Sequence, residues 1–266
     1  MNLQNKTLLS SLYEILPEGV VASSTWLVEK GYSRQLVYKY VHSHWLEKLG
    51  RGVYMRPNSL LEWEGVVLSL QKLSSLPLHV GGLTALNLQG YAHYLPLAGE
   101  NRVYLYEDKS GGKKLPSWVN SIELPQEFLL NKKSLFGEDV KKLGFKQTAT
   151  KIRDWTLKVS APERAIFEVL YHVENGGISF QHANELFEGL TTLRPKLVNS
   201  LLQSCKSDKV VRLFLFLANY NNHAWFKKIE QDNLIGKGKM QIVKGGRFDK
   251  RYRITVPESF MKSEAF

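Results

Sequence analysis

The chain has 266 residues, 43% apolar and 23% charged, which excludes a disordered polymer and allows one large or two ordinary domains. Its 36 Lys and Arg against 25 Asp and Glu give a formal charge of +11 and a pI near 9.5, favouring polyanionic partners, nucleic acid first. One cysteine, Cys205, excludes an internal disulfide and a cysteine-rich zinc site.

Leu8, Leu9, Leu12, Ile15 and Leu16 recur at helical spacing until Pro17-Glu18-Gly19 ends the run. A second short helix fits Ser24 to Lys30, with Ser23 or Ser24 as cap, Trp26 and Leu27 facing inward, and Gly31 as stop. Ser33 then caps a third, Arg34 to His42. Leu36, Val37, Tyr40 and Val41 form its apolar stripe. Two short helices around a tight turn, the second polar on its outer face, spell a helix-turn-helix. Residues 45–57 follow as two short strands around Gly50-Arg51-Gly52, a basic wing with Arg51 at its tip. The expected DNA contacts are Ser33, Arg34, Gln35, Tyr38, Lys39 and His42 on the helix, with Arg51 and Arg56 on the wing. The alternative is a small helical subdomain that binds protein and leaves Arg51 solvated.

From Leu60 the composition becomes that of a mixed domain. A helix is predicted from Leu61 to Ser74, a strand at Leu78-His79-Val80, and a helix from Thr84 to Leu88. Gly81-Gly82 between them reads as a tight strand-to-helix turn, with a phosphate cradle as the functional alternative. Residues 102–106 alternate as a strand, with Ser121-Ile122-Glu123-Leu124 as the expected partner and a basic loop, 109–114, between them. Leu157-Lys158-Val159 reads as another strand, and Ser160-Ala161-Pro162-Glu163 opens a helix. Further helices fit Phe180 to Phe187, Pro195 to Cys205 and Val210 to Ile229. Cys205, among Leu201, Leu202 and Val210, is expected to be an inert buried thiol.

The last segment is predicted as a β-hairpin, 239–244 and 250–256, turning at Gly245-Gly246. Tyr252, Ile254 and Val256 share one face. Residues 227–253 hold nine Lys and Arg against three acids. Lys237, Lys239, Lys244, Arg247, Lys250, Arg251 and Arg253 form either a charge-guarded sheet edge or a second nucleic-acid or partner surface.

Signs of an enzyme are sparse. His42 and His44 lack a carboxylate at metal-ligand spacing, and neither a serine elbow nor a phosphate-binding loop occurs. Glu107-Asp108-Lys109 is similar to a nuclease acid cluster, but Glu123 is followed by Leu124 and Pro125 rather than the acid-x-Lys arrangement. Neither catalytic residues, metal nor cofactor is expected. The most apolar stretch, Val210 to Ala218, contains Arg212 and falls short of the ~20 residues that span a bilayer. With neither a membrane segment nor a charged-then-apolar leader, a cytoplasmic protein is expected.

The wing 46–54, the 81–86 turn and helix, the 160–165 segment, the 212–218 run and the closing 245–252 segment together resemble the AbiEi antitoxins of type IV toxin–antitoxin systems, in that family's order. The resemblance implies an α+β protein with a winged helix-turn-helix at 1–58. A larger mixed α/β antitoxin domain follows at 59–266, with possible sublobes 59–158 and 159–266, ending in a basic β-hairpin. It also implies that the head binds inverted repeats in the double-stranded DNA of its own promoter and represses the operon. The C-terminal domain would counter a nucleotidyltransferase-like toxin without a stable complex. Under the same resemblance the recognition helix falls on Ser33 to His42 and the wing on Lys48 to Arg56. The competing expectations are an RNA-binding protein that protects a toxin's RNA target, and a metal-dependent nuclease.

Overall fold

The computed structural model describes residues 3–91, 101–107 and 114–261, with side chains from residue 8 onward. Asp108, Lys109 and the basic loop up to Lys113 lie outside the described residues; Lys114 is exposed. The chain divides into two compact units. The first comprises Met1–Val80, Asn101–Lys132 and Gln147–Lys158, the second Gly81–Glu100, Lys133–Lys146 and Val159–Phe266.

The first unit opens with α1 (Leu3–Ile15), β1 (Ala22–Ser23), α2 (Ser24–Glu29), α3 (Arg34–His42), β2 (Glu47–Gly50) and β3 (Val53–Met55). Next come α4 (Trp63–Leu68), continued by a π-helical turn at Ser69–Leu73, and β4 (Leu78–Val80). β5 (Arg102–Glu107), β6 (Glu127–Asn131), β7 (Phe145–Ala149) and β8 (Thr156–Ser160) complete a five-stranded sheet in the order β6-β5-β4-β8-β7. β4 and β5 are antiparallel, with Val80 opposite Leu105, whereas β5 and β6 are parallel, with Leu105 opposite Leu130. The partner of β5 is therefore Glu127–Asn131 and not 121–124. Ser117–Ser121 forms a 3-10 helix that buries Trp118 and Val119 instead.

α4 lies hard against the chain that leaves α1. A Cβ on Gly65 would fall 1.8 Å from the Gly19 carbonyl oxygen, so only glycine fits there. The buried Ser69 hydroxyl donates to the Gly65 carbonyl (2.7 Å) and accepts from the Val21 amide (2.8 Å). Arg153 donates to the carbonyls of Glu14 and Tyr13, both at 2.6 Å, and so caps the last turn of α1 from 139 residues downstream.

The second unit is mostly helical: α5 (Gly82–Leu88), α6 (Pro162–Tyr171), α7 (Phe180–Glu188), α8 (Pro195–Ser204) and α9 (Asp208–Tyr220). α6 packs on α5 and α9, with Phe167 stacked on Phe214 at 4.5 Å between centroids. The Gly81-Gly82 turn holds a carboxylate of the protein itself. Glu168 is 2% exposed and accepts from the Gly82 amide (2.8 Å), the Ser160 hydroxyl (3.0 Å) and Arg164 Nε (3.2 Å). The phosphate-cradle alternative thus gives way to an internal anion at the same donor.

Both ends of α9 differ from expectation. α9 begins at Asp208, where Ser207 caps it, and ends at Tyr220; Asn222 takes a positive φ of 52°, and Ala224–Lys228 is a separate 3-10 helix. The end near Cys205 agrees to within a residue. Burial raises the Cys205 thiol pKa to about 11, so it is protonated at neutral pH.

At the start of α6, Glu163 is 2% exposed and accepts Arg194 Nε (2.8 Å), Nη2 (2.9 Å) and backbone N (2.9 Å). Burial pushes the carboxyl upward, but the Arg194 hydrogen bonds and charge outweigh it, leaving the pKa below the ordinary value of 4.5. A depressed folded pKa contributes stability above the unfolded pKa, which is lost as pH falls through the folded value. The melting-temperature gap between wild type and Glu163→Gln is therefore expected to be widest near neutrality and to shrink steadily below about pH 4.5. Calorimetry across that range checks it; a gap independent of pH would sink the pairing as its cause.

The chain closes with β9 (Met240–Gln241), β10 (Arg247–Asp249) and β11 (Ile254–Val256), in the order β10-β11-β9. The closing hairpin is present, but its turn is at 250–253 rather than at Gly245-Gly246. The Asp249 carboxylate accepts the Tyr252 amide (2.7 Å), and Arg253 adopts φ 57°. β9 joins β11 in parallel instead of forming the hairpin's first arm. Tyr252, Ile254 and Val256 share the buried face, as their alternation predicts.

Candidate nucleic-acid interface

The head is held by serine caps at both short helices. Ser23 accepts the Trp26 amide and Ser33 the Leu36 amide, each at 3.2 Å. Between the helices Gly31 takes φ 88°, and the Tyr32 amide returns to the Leu27 carbonyl (2.9 Å). Tyr32 itself is buried, with its hydroxyl donating to the Leu8 carbonyl (3.1 Å). Leu12, Leu16, Trp26, Leu27, Val37, Tyr40 and Leu46 form the core beneath. Burying Val37 and Tyr40 fixes the rotation of α3 about its axis. The opposite face then necessarily points outward.

That face carries Arg34, Gln35, Tyr38, Lys39 and His42, all exposed. Tyr38 is 68% exposed and stacks on His42 at 5.7 Å, one turn along. Neither the first nor the last turn of α3 has an acid, and Lys39 and His42 occupy the last. Ser33 is exposed but engaged as the helix cap.

β1, which sequence periodicity did not reveal, pairs antiparallel with β3 and completes a three-stranded sheet in the order β1-β3-β2. The Ser24 amide donates to the Gly52 carbonyl (2.8 Å), pinning the start of α2 to the wing. Gly52 has φ 72°, and a Cβ there would lie 2.8 Å from Ser24 Oγ, so the turn requires glycine. Arg51 at the tip is exposed between two half-buried glycines. The wing is braced from behind: a Cβ on Gly50 would come within 3.1 Å of Ser121 Oγ, in the 3-10 helix of the same unit.

Arg56 is placed differently from the expected backbone contact. It forms an ion pair with Glu18 (2.8 Å) and lies over the Tyr13 ring at 4.2 Å, its side chain 20% exposed. An available carboxylate and an aromatic face have drawn the guanidinium back onto α1.

In the second unit, Lys237, Lys239, Lys244, Arg247, Lys250 and Arg251 are exposed and Arg253 is half-buried. Arg247 pairs with Glu258 (3.2 Å), Lys239 sits over Phe248 at 5.3 Å, and Arg251 over Tyr252 at 5.3 Å. Arg212, 1% exposed, holds this region to α9. It donates to both Asp208 oxygens (3.0 and 2.7 Å) and to the carbonyls of Gly236 (3.0 Å), Gly238 (2.7 Å) and Arg253 (3.1 Å).

Among the described residues, no group of three His, Cys, Asp or Glu is placed to hold a metal ion, and no helix is long and apolar enough to cross a membrane.

Residues 5–97 match a family model described as the N-terminal domain of AbiEi antitoxin transcriptional regulators. Residues 100–257 match the model for the AbiEi antitoxin transcriptional regulator of type IV toxin–antitoxin systems. No curated protein matches the chain. Among solved structures, the RV2827C protein from Mycobacterium tuberculosis is similar, with a TM-score of 0.52 at 13% identity over 96% of this chain and 91% of that one. At that identity the likeness is one of fold alone.

Proposed function

The chain belongs to the AbiEi antitoxin family of type IV toxin–antitoxin transcriptional regulators, and from that premise we propose that its head binds inverted repeats in the promoter of its own operon and represses it. The observation that carries this reading is the outward face of α3, with Arg34, Gln35, Tyr38, Lys39 and His42 exposed beside a braced wing that presents Arg51. In this arrangement α3 lies in the major groove. Arg34 and Gln35, at its N-terminal end, reach base edges there, since arginine matches guanine and glutamine matches adenine bidentately. Lys39 and Tyr38 meet phosphates, and Arg51 lies against the adjacent backbone or minor groove. Arg56 is left out of the contact set because Glu18 and Tyr13 hold it. The C-terminal part counters a nucleotidyltransferase-like toxin without a stable complex, and catalysis by this chain is not invoked.

Binding of labelled promoter duplex by single variants tests the contacts. Arg34→Ala is expected to weaken operator binding about 5- to 150-fold and to relax preference at one base position. Arg51→Ala is expected to weaken all duplexes alike and to lower the salt slope by about one unit. Wild-type affinity in both variants would remove α3 and the wing from the interface.

A further inference from the structure

Beside α9 and the turn of the closing hairpin lies a groove of about 340 Å3. Its walls are aromatic and its rim is cationic: Phe216, Tyr220, Phe248 and Phe260 line it together with Lys250 and Arg251. Phe216 and Phe260 are buried and form the floor, whereas Tyr220 and Phe248 are half-buried. Tyr220 runs nearly parallel to Phe216 (6.1 Å, 17°) and tilts against Phe260 (5.1 Å), so the rings support one another as a platform. Lys250 and Arg251 are exposed, and Asn219 adds an amide to the wall. The acid in the lining, Asp249, is turned to the hairpin backbone, where its Oδ1 accepts the Tyr252 amide at 2.7 Å.

Such a lining has a chemical meaning. Pockets of about 300 Å3 and above take small organic groups, and an aromatic wall selects flat ones. The surrounding segment, residues 227–253, holds nine Lys and Arg against three acids, so the flat group should travel with negative charge. A nucleobase on a phosphate backbone satisfies both conditions, provided that the base is unpaired and can leave its neighbours. A base inside a duplex is stacked on both faces and cannot enter.

We propose that this groove takes an unpaired nucleotide of a single-stranded nucleic acid, with the base against Tyr220 and Phe248 and the flanking phosphates on Lys250 and Arg251. The site is independent of duplex reading by the head.

The test uses the full chain and fluorescein-labelled strands of about ten nucleotides, within the span one single-strand module covers, as RNA and as DNA, with a duplex of the same sequence as competitor. Single strands are expected to bind, and excess duplex to leave them bound. The Arg34→Ala/Arg51→Ala double variant should bind them as wild type does. Lys250→Ala/Arg251→Ala should lower the salt slope by about one unit or more, at roughly 0.7 for each phosphate no longer neutralised. Phe248→Leu should weaken binding about 5- to 150-fold, the loss of one stacked base. Photocrosslinking of 4-thiouridine or 4-thiothymidine strands to the wild-type protein needs no variant, and the adduct is expected in residues 216–220 or 248–261. RNA bound more tightly than DNA would identify RNA as the source of the strand, and equal binding would identify any single strand; both support the site. Failure to bind single strands, displacement by duplex, or an adduct in the head would overturn it.

Discussion

Glu168→Ala is expected to destabilise the protein by about 3–5 kcal/mol, the cost of removing one partner from a buried ion pair. Glu168 and Arg164 are 2% and 5% exposed, so the guanidinium left behind cannot recruit water easily. Arg164 also donates to the Leu143 carbonyl (3.0 Å) and lies between the rings of Phe136 (4.6 Å) and Phe145 (4.3 Å). It therefore cannot swing outward without abandoning that carbonyl and both rings. Alanine would also strand the Gly82 amide and the Ser160 hydroxyl, which now donate to the carboxylate. Since folded domains are stable by about 5–15 kcal/mol, the loss is a large share of the whole. Denaturant unfolding followed by circular dichroism measures it. Glu168→Gln keeps an acceptor and should cost less than alanine; a Glu168→Ala midpoint equal to wild type would show that the network is not a stabilising centre.

The second large effect is expected at Arg212. Three of its five hydrogen bonds hold residues 236–238 and the Arg253 turn to α9, while the other two go to its ion-pair partner Asp208, which is partly exposed. Arg212→Met would leave Asp208 hydrated and take the guanidinium donor from the Gly236 carbonyl, while the Arg253 carbonyl keeps the Met240 amide (2.9 Å) and the Gly238 carbonyl keeps Arg253 Nε (3.4 Å). The expected cost is about 3 kcal/mol. Because these bonds converge on one region, the loosening should be local before it is global. Limited proteolysis is expected to cut the variant between residues 236 and 253 well before wild type, with Lys237 and Lys239 as tryptic sites. Identical cleavage patterns would mean that Arg212 is only a passive filler of the core.

The head was legible because its signals are local. Ser23 and Ser33 sit where caps belong, Gly31 breaks the helix, and both short helices fall within a residue of expectation. The outward face of α3 followed from the spacing of Val37 and Tyr40, which the structure buries. What escaped reading depends on distant partners. β1 is two residues long and exists because β3 pairs with it. Arg56 reads as a free cation until Glu18 and Tyr13 are brought beside it. The partner of β5 could not be chosen by alternation, since 121–124 and 127–131 both contain apolar residues at usable spacing. Trp118 and Val119 going into the core as a 3-10 turn decided it. The end of α9 is different, because Asn221-Asn222 carried a stop signal and Asn tolerates the left-handed conformation found at Asn222. In the closing segment Gly245-Gly246 looked the stronger turn, but the Asp249 carboxylate holds the hairpin turn at 250–253.

Arg153, Ser69 and Gly65 make the N-terminal head a poor candidate for transplantation. A graft of residues 1–58 onto another scaffold would leave the last turn of α1 without the guanidinium that now receives its Tyr13 and Glu14 carbonyls. The Val21 amide would lose its hydroxyl acceptor just before the strand that stitches the wing to α2. If α3 reads the operator as proposed, exchange of specificity should proceed by rewriting side chains on α3 rather than by trading whole modules. The outward face of α3 behaves as one side of a larger solid unit and not as an interchangeable cassette.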